Sequence, residues 1–168
     1  GGDVRVTSEV GKGSVFEFSL RLAPSAQSKL VMPEINTQNL SLRIVDDNLT
    51  NRQVLSGQLE IWGCNVCEAV NGKEALSILN ERMNDLADLG RDVPFDVAFI
   101  DMQMPGMDGA ELGRRIRADK RFDGMKLVMM TSMGHKGDAK FFADLGFSAY
   151  FSKPTTTSDL FDALAVVV

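Results

Sequence analysis

Five polar side chains follow short apolar runs of the sequence, and their types could hold a metal ion beside a phosphoryl group. They are Asp46, Asp47, Asp101, Thr131 and Lys153. Three carboxylates in one place repel one another unless a cation neutralises them. Oxygen ligands with room for water suit Mg²⁺, and an ammonium and a hydroxyl beside that ion can hold a phosphoryl group. This chemistry requires a fold that brings the five residues together.

The apolar runs that precede these side chains alternate with helical patterns, which predicts an α/β fold. The predicted strands are Leu42–Val45, Val66–Val70, Phe95–Ile100, Leu127–Met130 and Ala149–Phe151. Five βα units in this order favour a doubly wound parallel sheet with helices on both faces. The carboxyl ends of parallel strands share one edge, where ligands bind. The five polar side chains are therefore expected at one site.

Local signals mark the ends of the predicted helices. Capping-box-like starts are found at Thr50-x-x-Gln53, Asn71-x-x-Glu74 and Asp108-x-x-Glu111. Gly63 and Gly146 lie where left-handed helix ends would fall. Apolar residues at 160, 161, 163, 164, 167 and 168 predict an amphipathic last helix.

Composition divides the chain into three segments. Residues 3–21 are predicted to form a β-hairpin, because alternating apolar residues flank the turn at 11–14, and a lone hairpin is marginal in water. Residues 23–39 hold two prolines and no sustained periodicity, which predicts a linker. Residues 40–168 contain all five βα units and carry the whole net charge of −5.

The overall composition is that of an acidic globular protein. Hydrophobic residues make up 44% and charged residues 24% of the 168, and the pI is about 4.9. The negative charge argues against nucleic-acid binding. Two cysteines cannot form a disulfide framework, and no apolar run approaches the ~18 residues of a membrane span. We therefore expect a cytoplasmic location without direct membrane contact from this chain.

Plainer interpretations exist for several of these features. One aspartate after a strand is often only a cap or turn residue, whereas polar residues after four strands favour a shared site. The turn at 11–14 lacks the spacing of a phosphate-binding loop. Cys64 and Cys67 lie three residues apart beside the second strand, so they point to opposite faces, and two further ligands for zinc are missing. Both cysteines are interpreted as buried apolar residues.

On these residues, the segment 40–168 resembles a response-regulator receiver domain, the phosphoacceptor module of two-component signalling. The matching motifs are Val45-Asp46-Asp47-Asn48 with Asn51-Arg52, Asn71-Gly72-x-Glu74-Ala75-Leu76, Asp101-Met102-Gln103-Met104-Pro105-Gly106-Met107-Asp108-Gly109, Met130-Thr131-Ser132 and Lys153-Pro154. The resemblance covers about three quarters of the chain. The resemblance implies a flavodoxin-like sheet with the strand order 2-1-3-4-5.

The resemblance also implies how the carboxylates act. Asp101 would be the nucleophile that takes a phosphoryl group from a phosphohistidine. Mg²⁺, or Mn²⁺, would be bound by Asp47, Asp101 and the backbone carbonyl of Gln103. Asp46 would bind the ion partly through water. The domain would thus catalyse its own phosphorylation and dephosphorylation.

Three further residues receive roles from the same resemblance. Lys153 would pair with a phosphoryl oxygen, and Thr131 would donate its hydroxyl to it. Tyr150 occupies the position of the switch aromatic, three residues before the lysine, and would turn inward when Thr131 moves. The Lys153-Pro154 peptide is implied to be cis.

Residues 1–22 resemble the last strands of a histidine-kinase ATP-binding domain. The matching pattern is Gly1-Gly2-x-Val4-x-Val6-x-Ser8-x-x-Gly11-x-Gly13-Ser14-x-Phe16-x-Phe18-x-Leu20. Its position before a receiver implies that the parent protein is a hybrid histidine kinase, which could be membrane-anchored. The expected partners are a histidine-kinase dimerisation domain, a histidine-phosphotransfer protein, or both. ATP-contacting motifs are absent from these residues, and His135 has no kinase-like helix context, so this chain is not expected to bind ATP.

Three other classes of protein fit the strand-end residues less well. A haloacid-dehalogenase-type phosphatase needs Asp-x-Asp, and Gln103 stands at its second position. A pseudo-receiver is disfavoured because every acidic and basic position is filled. In a flavin-mononucleotide binder, Asp46 and Asp47 would repel the phosphate. Residues 80–94 form a longer connection than receivers usually have, either as an extended helix or as a loop.

Overall fold

The computed structural model describes residues 2–22, 36–89, 92–132 and 138–168. The chain divides into two compact units, Gly1–Val31 and Met32–Val168. Most of the predicted linker at 23–39 and the single histidine, His135, lie outside the described residues.

The first unit contains the predicted hairpin. Its antiparallel strands are β1 (Asp3–Glu9) and β2 (Gly13–Ser19). Val4 pairs with Phe18 and Val6 with Phe16, so these four side chains share one face. Gly11 in the turn has a φ of +81°, a conformation that glycine adopts without strain. Each of the four apolar side chains is more than half exposed.

The second unit is built on the predicted five-stranded parallel sheet. Its strands are β3 (Ser41–Val45), β4 (Asn65–Ala69), β5 (Val97–Asp101), β6 (Lys126–Thr131) and β7 (Ala149–Ser152). They lie side by side in the order β4-β3-β5-β6-β7, which is 2-1-3-4-5 when counted within this unit. Every residue of β3 and β5 is buried, as a sheet covered on both faces requires.

Helices cover both faces of this sheet. They are α1 (Leu49–Ile61), α2 (Gly72–Leu89), α3 (Gly109–Arg117), α4 (Asp138–Asp144) and α5 (Thr157–Val167), with a 3₁₀ turn at Lys120–Phe122. Helices α1 and α5 pack on one face around Ile44 and Phe99. Helices α2, α3 and α4 pack on the other face around Ile100 and Met129. None of the described helices is long and apolar enough to cross a bilayer.

The helix starts differ from the predicted capping boxes. Helix α1 begins two residues early, because Asn48 rather than Thr50 caps it by accepting hydrogen bonds from the Thr50 and Asn51 amides. Asn71 does accept from the Glu74 amide, but the Glu74 carboxylate bonds the amide of Val70. The complete capping box was not predicted and lies at the start of α5.

The starts of α3 and α5 differ in the partner of the carboxylate that lies one turn into the helix. Asp108 caps α3 by accepting from the Glu111 amide, as predicted, but the Glu111 carboxylate pairs with arginines one turn later. The unpredicted box joins Thr156 and Asp159, each of which accepts from the other's backbone amide. At the start of α3, arginines therefore take the carboxylate that a capping box would need, whereas Asp159 returns to the cap of α5.

The remaining local predictions are largely confirmed. Gly63 and Gly146 have φ values of +83° and +87°. The Lys153-Pro154 peptide is cis. In α5 the buried positions are 160, 163, 164 and 167, whereas Val168, which was predicted to belong to the apolar stripe, is 54% exposed.

The long connection predicted at residues 80–94 is helical in its first part. Helix α2 continues to Leu89. At the other end of the unit, the Thr37 hydroxyl donates to the Trp62 carbonyl at 2.6 Å. Residues 36–39, counted in the predicted linker, therefore attach to the turn after α1.

Candidate functional site

Three carboxylates meet at the carboxyl edge of the sheet. Asp46 and Asp47 follow β3, and Asp101 is the last residue of β5, its neighbour in the sheet. One carboxylate oxygen from each lies within 4.8 Å of the others. Asp46 and Asp101 are 0% and 4% exposed, whereas Asp47 is open to solvent. The parallel topology thus brings together the acidic residues that the sequence placed at strand ends.

The Lys153 ammonium lies between the two buried carboxylates. It is 2.6 Å from Asp46 Oδ2 and 2.8 Å from Asp101 Oδ1. The loop after β7 places it there, because the Lys153 amide donates to the Thr131 carbonyl at 2.7 Å and so continues the β6–β7 pairing. One ammonium among three carboxylates leaves a local charge of about −2, which a divalent cation would balance.

Burial and charge shift the ionisation of these groups. Burial raises the pKa of Asp101, and the Asp46 carboxylate raises it further, although the Lys153 ammonium and a hydrogen bond from the Gln103 amide oppose the shift. Burial alone would lower the pKa of Lys153, but its ion pairs with Asp101 and Asp46 outweigh that effect and raise it. The Lys153 ammonium therefore stays charged. An additional cation near Asp101 would stabilise its ionised carboxylate.

The cap and first turn of α1 hold Asp46 in place. The Asn48 amide donates to Asp46 Oδ1 at 2.8 Å, and the Asn51 side-chain amide donates to Oδ2 at 3.2 Å. Arg52, only 7% exposed, donates from Nη1 to the Asp46 carbonyl at 2.8 Å and from Nε to Glu68 of β4 at 3.0 Å. These contacts hold the acidic loop from its helix side.

Asn51 and Arg52 were not predicted as site residues. The sequence did contain a signal for them, because both lie one helical turn after the acidic pair and so point back towards the sheet edge. Their spacing would have identified them had the start of α1 been placed at Leu49.

The loop after β5 approaches the backbone of Asp101 closely. A Cβ on Gly109 would lie 2.4 Å from the Asp101 carbonyl oxygen, so only glycine fits there. The Gly109 amide donates to the Met102 carbonyl at 3.0 Å, and the Met102 amide donates to Met130 at 2.8 Å. Gln103 is exposed, and its backbone is at the site through the amide that bonds Asp101.

Thr131 and Tyr150 lie on the same face of neighbouring strands. Thr131 ends β6 and is 5% exposed, whereas Tyr150 of β7 is 42% exposed. Tyr150 pairs with Met129, two residues before Thr131, so both side chains face α4. The Tyr150 ring lies 5.4 Å from the ring of Phe142 in α4, between centroids. The predicted neighbourhood of the two residues is thus present, with the tyrosine turned outward.

The donor set suits a hard divalent cation. All three acidic side chains offer oxygen, and exposed Asp47 leaves room for water. Asp101 Oδ1 is buried, and among the described residues no donor bonds it in hydrogen-bond geometry, although Lys153 lies close as an ion pair. A buried oxygen with a free lone pair beside two further carboxylates is what such an ion requires.

The sequence matches a protein-family model over most of its length. The family is the response regulator receiver domain, and the match covers residues 42–165. It includes the strands of the parallel sheet, except for the first residue of β3, and all the strand-end residues.

Similar proteins include kinases and a single-domain protein. Hybrid signal transduction histidine kinase L of Dictyostelium discoideum is 32% identical over 70% of this chain and 7% of that protein. Sensor histidine kinase AruS of Pseudomonas aeruginosa is 31% identical over 99% of the chain and 16% of that protein. Chemotaxis protein CheY1 of Helicobacter pylori is 32% identical over 77% of the chain and 97% of that protein. The chain thus spans a small part of the kinases and the length of the chemotaxis protein.

Solved structures share the fold. CheY4 of Vibrio cholerae has a TM-score of 0.66 at 25% identity, covering 77% of this chain and 99% of that one. The receiver domain of histidine kinase CKI1 from Arabidopsis thaliana, complexed with Mg²⁺ and BeF₃⁻, has a TM-score of 0.64 at 27% identity, covering 77% and 92%. Family model, relatives and fold agree, and the chain belongs to the response regulator receiver domain family of two-component signalling.

Proposed function

We propose that Asp101 accepts a phosphoryl group from a phosphohistidine in a Mg²⁺-dependent reaction. The observation that carries the proposal is the buried Asp101 carboxylate at the end of the central strand, within 4.8 Å of two more carboxylates and 2.8 Å from an ammonium. The acceptor oxygen attacks phosphorus, the bond from phosphorus to the histidine nitrogen breaks, and an aspartyl phosphate forms. Such transfers depend mainly on positioning and charge stabilisation.

The roles of the other site residues follow from where negative charge develops during the transfer. Asp46, Asp47, Asp101 and the Gln103 carbonyl would hold Mg²⁺, or Mn²⁺, which supplies a positive charge to the phosphoryl oxygens when it is bound. Lys153 would exchange its contact with Asp101 for one with a phosphoryl oxygen, and it keeps Asp46 as a partner. The CKI1 receiver complexed with Mg²⁺ and BeF₃⁻ supports this ion for the present chain.

Phosphorylation would act through Thr131 and Tyr150. Thr131 lies at the end of the strand beside β5, within the same edge as Asp101. Movement of the Thr131 hydroxyl towards the phosphoryl group would open space on the α4 side of the sheet. The outward Tyr150 ring could turn into this space and lose its contact with Phe142. The surface of α4, β7 and α5 would then change between two packings rather than deform gradually.

The N-terminal segment supports a hybrid-kinase parent. The match to AruS extends over 99% of this chain and so includes the hairpin, whereas the match to CheY1 covers 77%. The exposed apolar face of the hairpin suits the edge of a larger sheet. We infer that residues 1–22 end a kinase ATP-binding domain and that residues 40–168 form the receiver. The partners would be a kinase dimerisation domain or a histidine-phosphotransfer protein in the cytoplasm.

Acetyl phosphate tests the phosphoacceptor assignment without the natural donor. With Mg²⁺, intact-mass spectrometry of the wild-type chain should show one added phosphoryl group, and addition of EDTA should prevent it. Asp101→Asn should show none, whereas Asp123→Asn, which neutralises an exposed carboxylate at the 3₁₀ turn, should react like the wild type. An undiminished adduct in Asp101→Asn would overturn the assignment.

A further inference from the structure

A second chemical feature lies within the sheet, away from the carboxylates. Arg43 of β3 and Cys67 of β4 are directly opposite in the parallel register. The guanidinium Nη1 donates to Cys67 Sγ at 2.7 Å. Arg43 is only 1% exposed, so an ionised side chain is buried beside a thiol.

The Arg43 guanidinium has unused donors. Its Nε and Nη2 are buried and, among the described residues, bond no acceptor. The ring of Phe95, 5.5 Å from the guanidinium carbon, gives only a weak interaction with the charge. A buried cation with two unpaired donors is costly, and burial lowers the pKa of Arg43 although Cys67 and the Glu74 carboxylate oppose the shift. The guanidinium would gain from an additional oxygen next to the sulfur.

The two cysteines of the chain differ in their surroundings. Cys67 lies on the edge strand and is partly exposed. Cys64 is 6% exposed on the other face of the sheet, and burial raises its pKa to about 11. The two sulfurs also differ in their partners, because Cys67 Sγ accepts a hydrogen bond from the buried Arg43 guanidinium and Cys64 Sγ donates to the Thr37 carbonyl. Cys64 is therefore an internal control for Cys67.

We propose that Cys67, held by the buried Arg43 guanidinium, is a site of reversible oxidation by peroxides. The sulfur attacks one peroxide oxygen, an S–O bond forms, and the O–O bond breaks. The leaving hydroxide takes up the proton that the thiol released, so that a thiol and hydrogen peroxide give a sulfenic acid and water. Sulfur loses two electrons and the peroxide gains them. The new oxygen accepts a hydrogen bond from the nitrogens of Arg43 that otherwise have no acceptor.

Dimedone, which reacts with sulfenic acids, tests the proposal on the full chain. The folded protein is treated with hydrogen peroxide and dimedone, and peptides are mapped by mass, since nine methionines can also take up oxygen. Cys67 should be labelled and Cys64 should not. Cys64→Ser should keep the labelling and Cys67→Ser should lose it. Equal labelling of both cysteines in the folded wild type would overturn the proposal.

A pair of arginine variants tests the role of the guanidinium. Arg43→Met removes the charge while keeping an unbranched side chain, and it should slow labelling of Cys67 by roughly tenfold or more. The matched control is Arg82→Met, because Arg82 lies over the same Phe95 ring at 4.9 Å but its loss leaves the bond from Arg43 to sulfur in place. Phosphorylation of each variant by acetyl phosphate checks its fold. An unchanged labelling rate in Arg43→Met would contradict the proposal, and the comparison of the two cysteines decides the matter if that variant does not fold.

Discussion

Asp47→Asn is expected to remove the stabilisation that Mg²⁺ gives the folded domain while leaving the domain intact. Asp47 is the exposed member of the carboxylate cluster, and among the described residues no basic side chain pairs with it. Its replacement therefore breaks no ion pair, in contrast to a change at Asp46 or Asp101. The variant isolates the contribution of one metal ligand.

The size of the effect follows from charge and linkage. At 4.8 Å, the limit within which the carboxylate oxygens lie, two unit charges repel by roughly 1 kcal/mol with the screening of water, which is appropriate for exposed Asp47, and by about 3.5 kcal/mol with stronger burial. Without metal, the variant should thus be more stable than the wild type by roughly 1 kcal/mol. Mg²⁺ at ten times its dissociation constant should add about 1.4 kcal/mol to the wild type. For a unit of this size that corresponds to a rise in Tm of roughly 5 °C.

Thermal unfolding in Mg²⁺ and in EDTA measures both terms. The wild type should melt at the higher temperature in Mg²⁺, and Asp47→Asn should melt at nearly the same temperature in both. Asp123→Asn, which lies away from the cluster, should keep the whole increment. The reasoning is refuted if the wild type shows no increment or if Asp47→Asn keeps it.

Three further predictions concern the pKa of Asp101, the support of Asp46 and the switch. Because burial raises the pKa of Asp101, its stabilising contribution in the absence of metal is complete below an ordinary aspartate pKa of about 4 and is lost as the pH rises through the raised native value. In urea unfolding, the free energy of Asp101→Asn relative to wild type should therefore increase from about pH 4 towards neutrality, and a constant difference would contradict this. Arg52→Met removes the bonds to the Asp46 carbonyl and β4, so it should lower the free energy of unfolding by about 2 kcal/mol and weaken Mg²⁺ binding; unchanged urea and Mg²⁺ titrations would argue against that role. Thr131→Ala should still accept a phosphoryl group, but beryllofluoride should no longer shift the NMR resonances of Tyr150, and equal shifts in both proteins would exclude Thr131 as the coupling residue.

The sheet and the strand-end residues were predictable because strong local patterns set them. Strands such as Val97–Asp101 are short apolar runs that end in one polar residue. In a parallel sheet the carboxyl ends share one edge, so the order of elements places Asp46, Asp101 and Lys153 at that edge, and the strand order makes the strands of Asp46 and Asp101 neighbours. The strand order itself came from the family resemblance.

Contacts that depend on competition between partners were not predictable. Asn48, Thr50 and Asn51 can each cap a helix, and the structure selects Asn48, which moves the start of α1. Likewise, any of the three threonines at 155–157 can cap α5, so the sequence alone did not identify the capping box at Thr156. Arg43 stands inside an apolar strand run, and its complete burial against a cysteine follows only from the register of β3 and β4.

The central claim is that the phosphoryl group is carried by the side chain of Asp101, and chemical trapping tests it most directly. Borohydride reduces an aspartyl phosphate to homoserine, which peptide mass mapping locates at a single position. After treatment with Mg²⁺ and acetyl phosphate, the wild-type chain should contain homoserine at position 101 and nowhere else. Homoserine at position 46 or 47, or a phosphorylated chain without homoserine at 101, would contradict the proposed function.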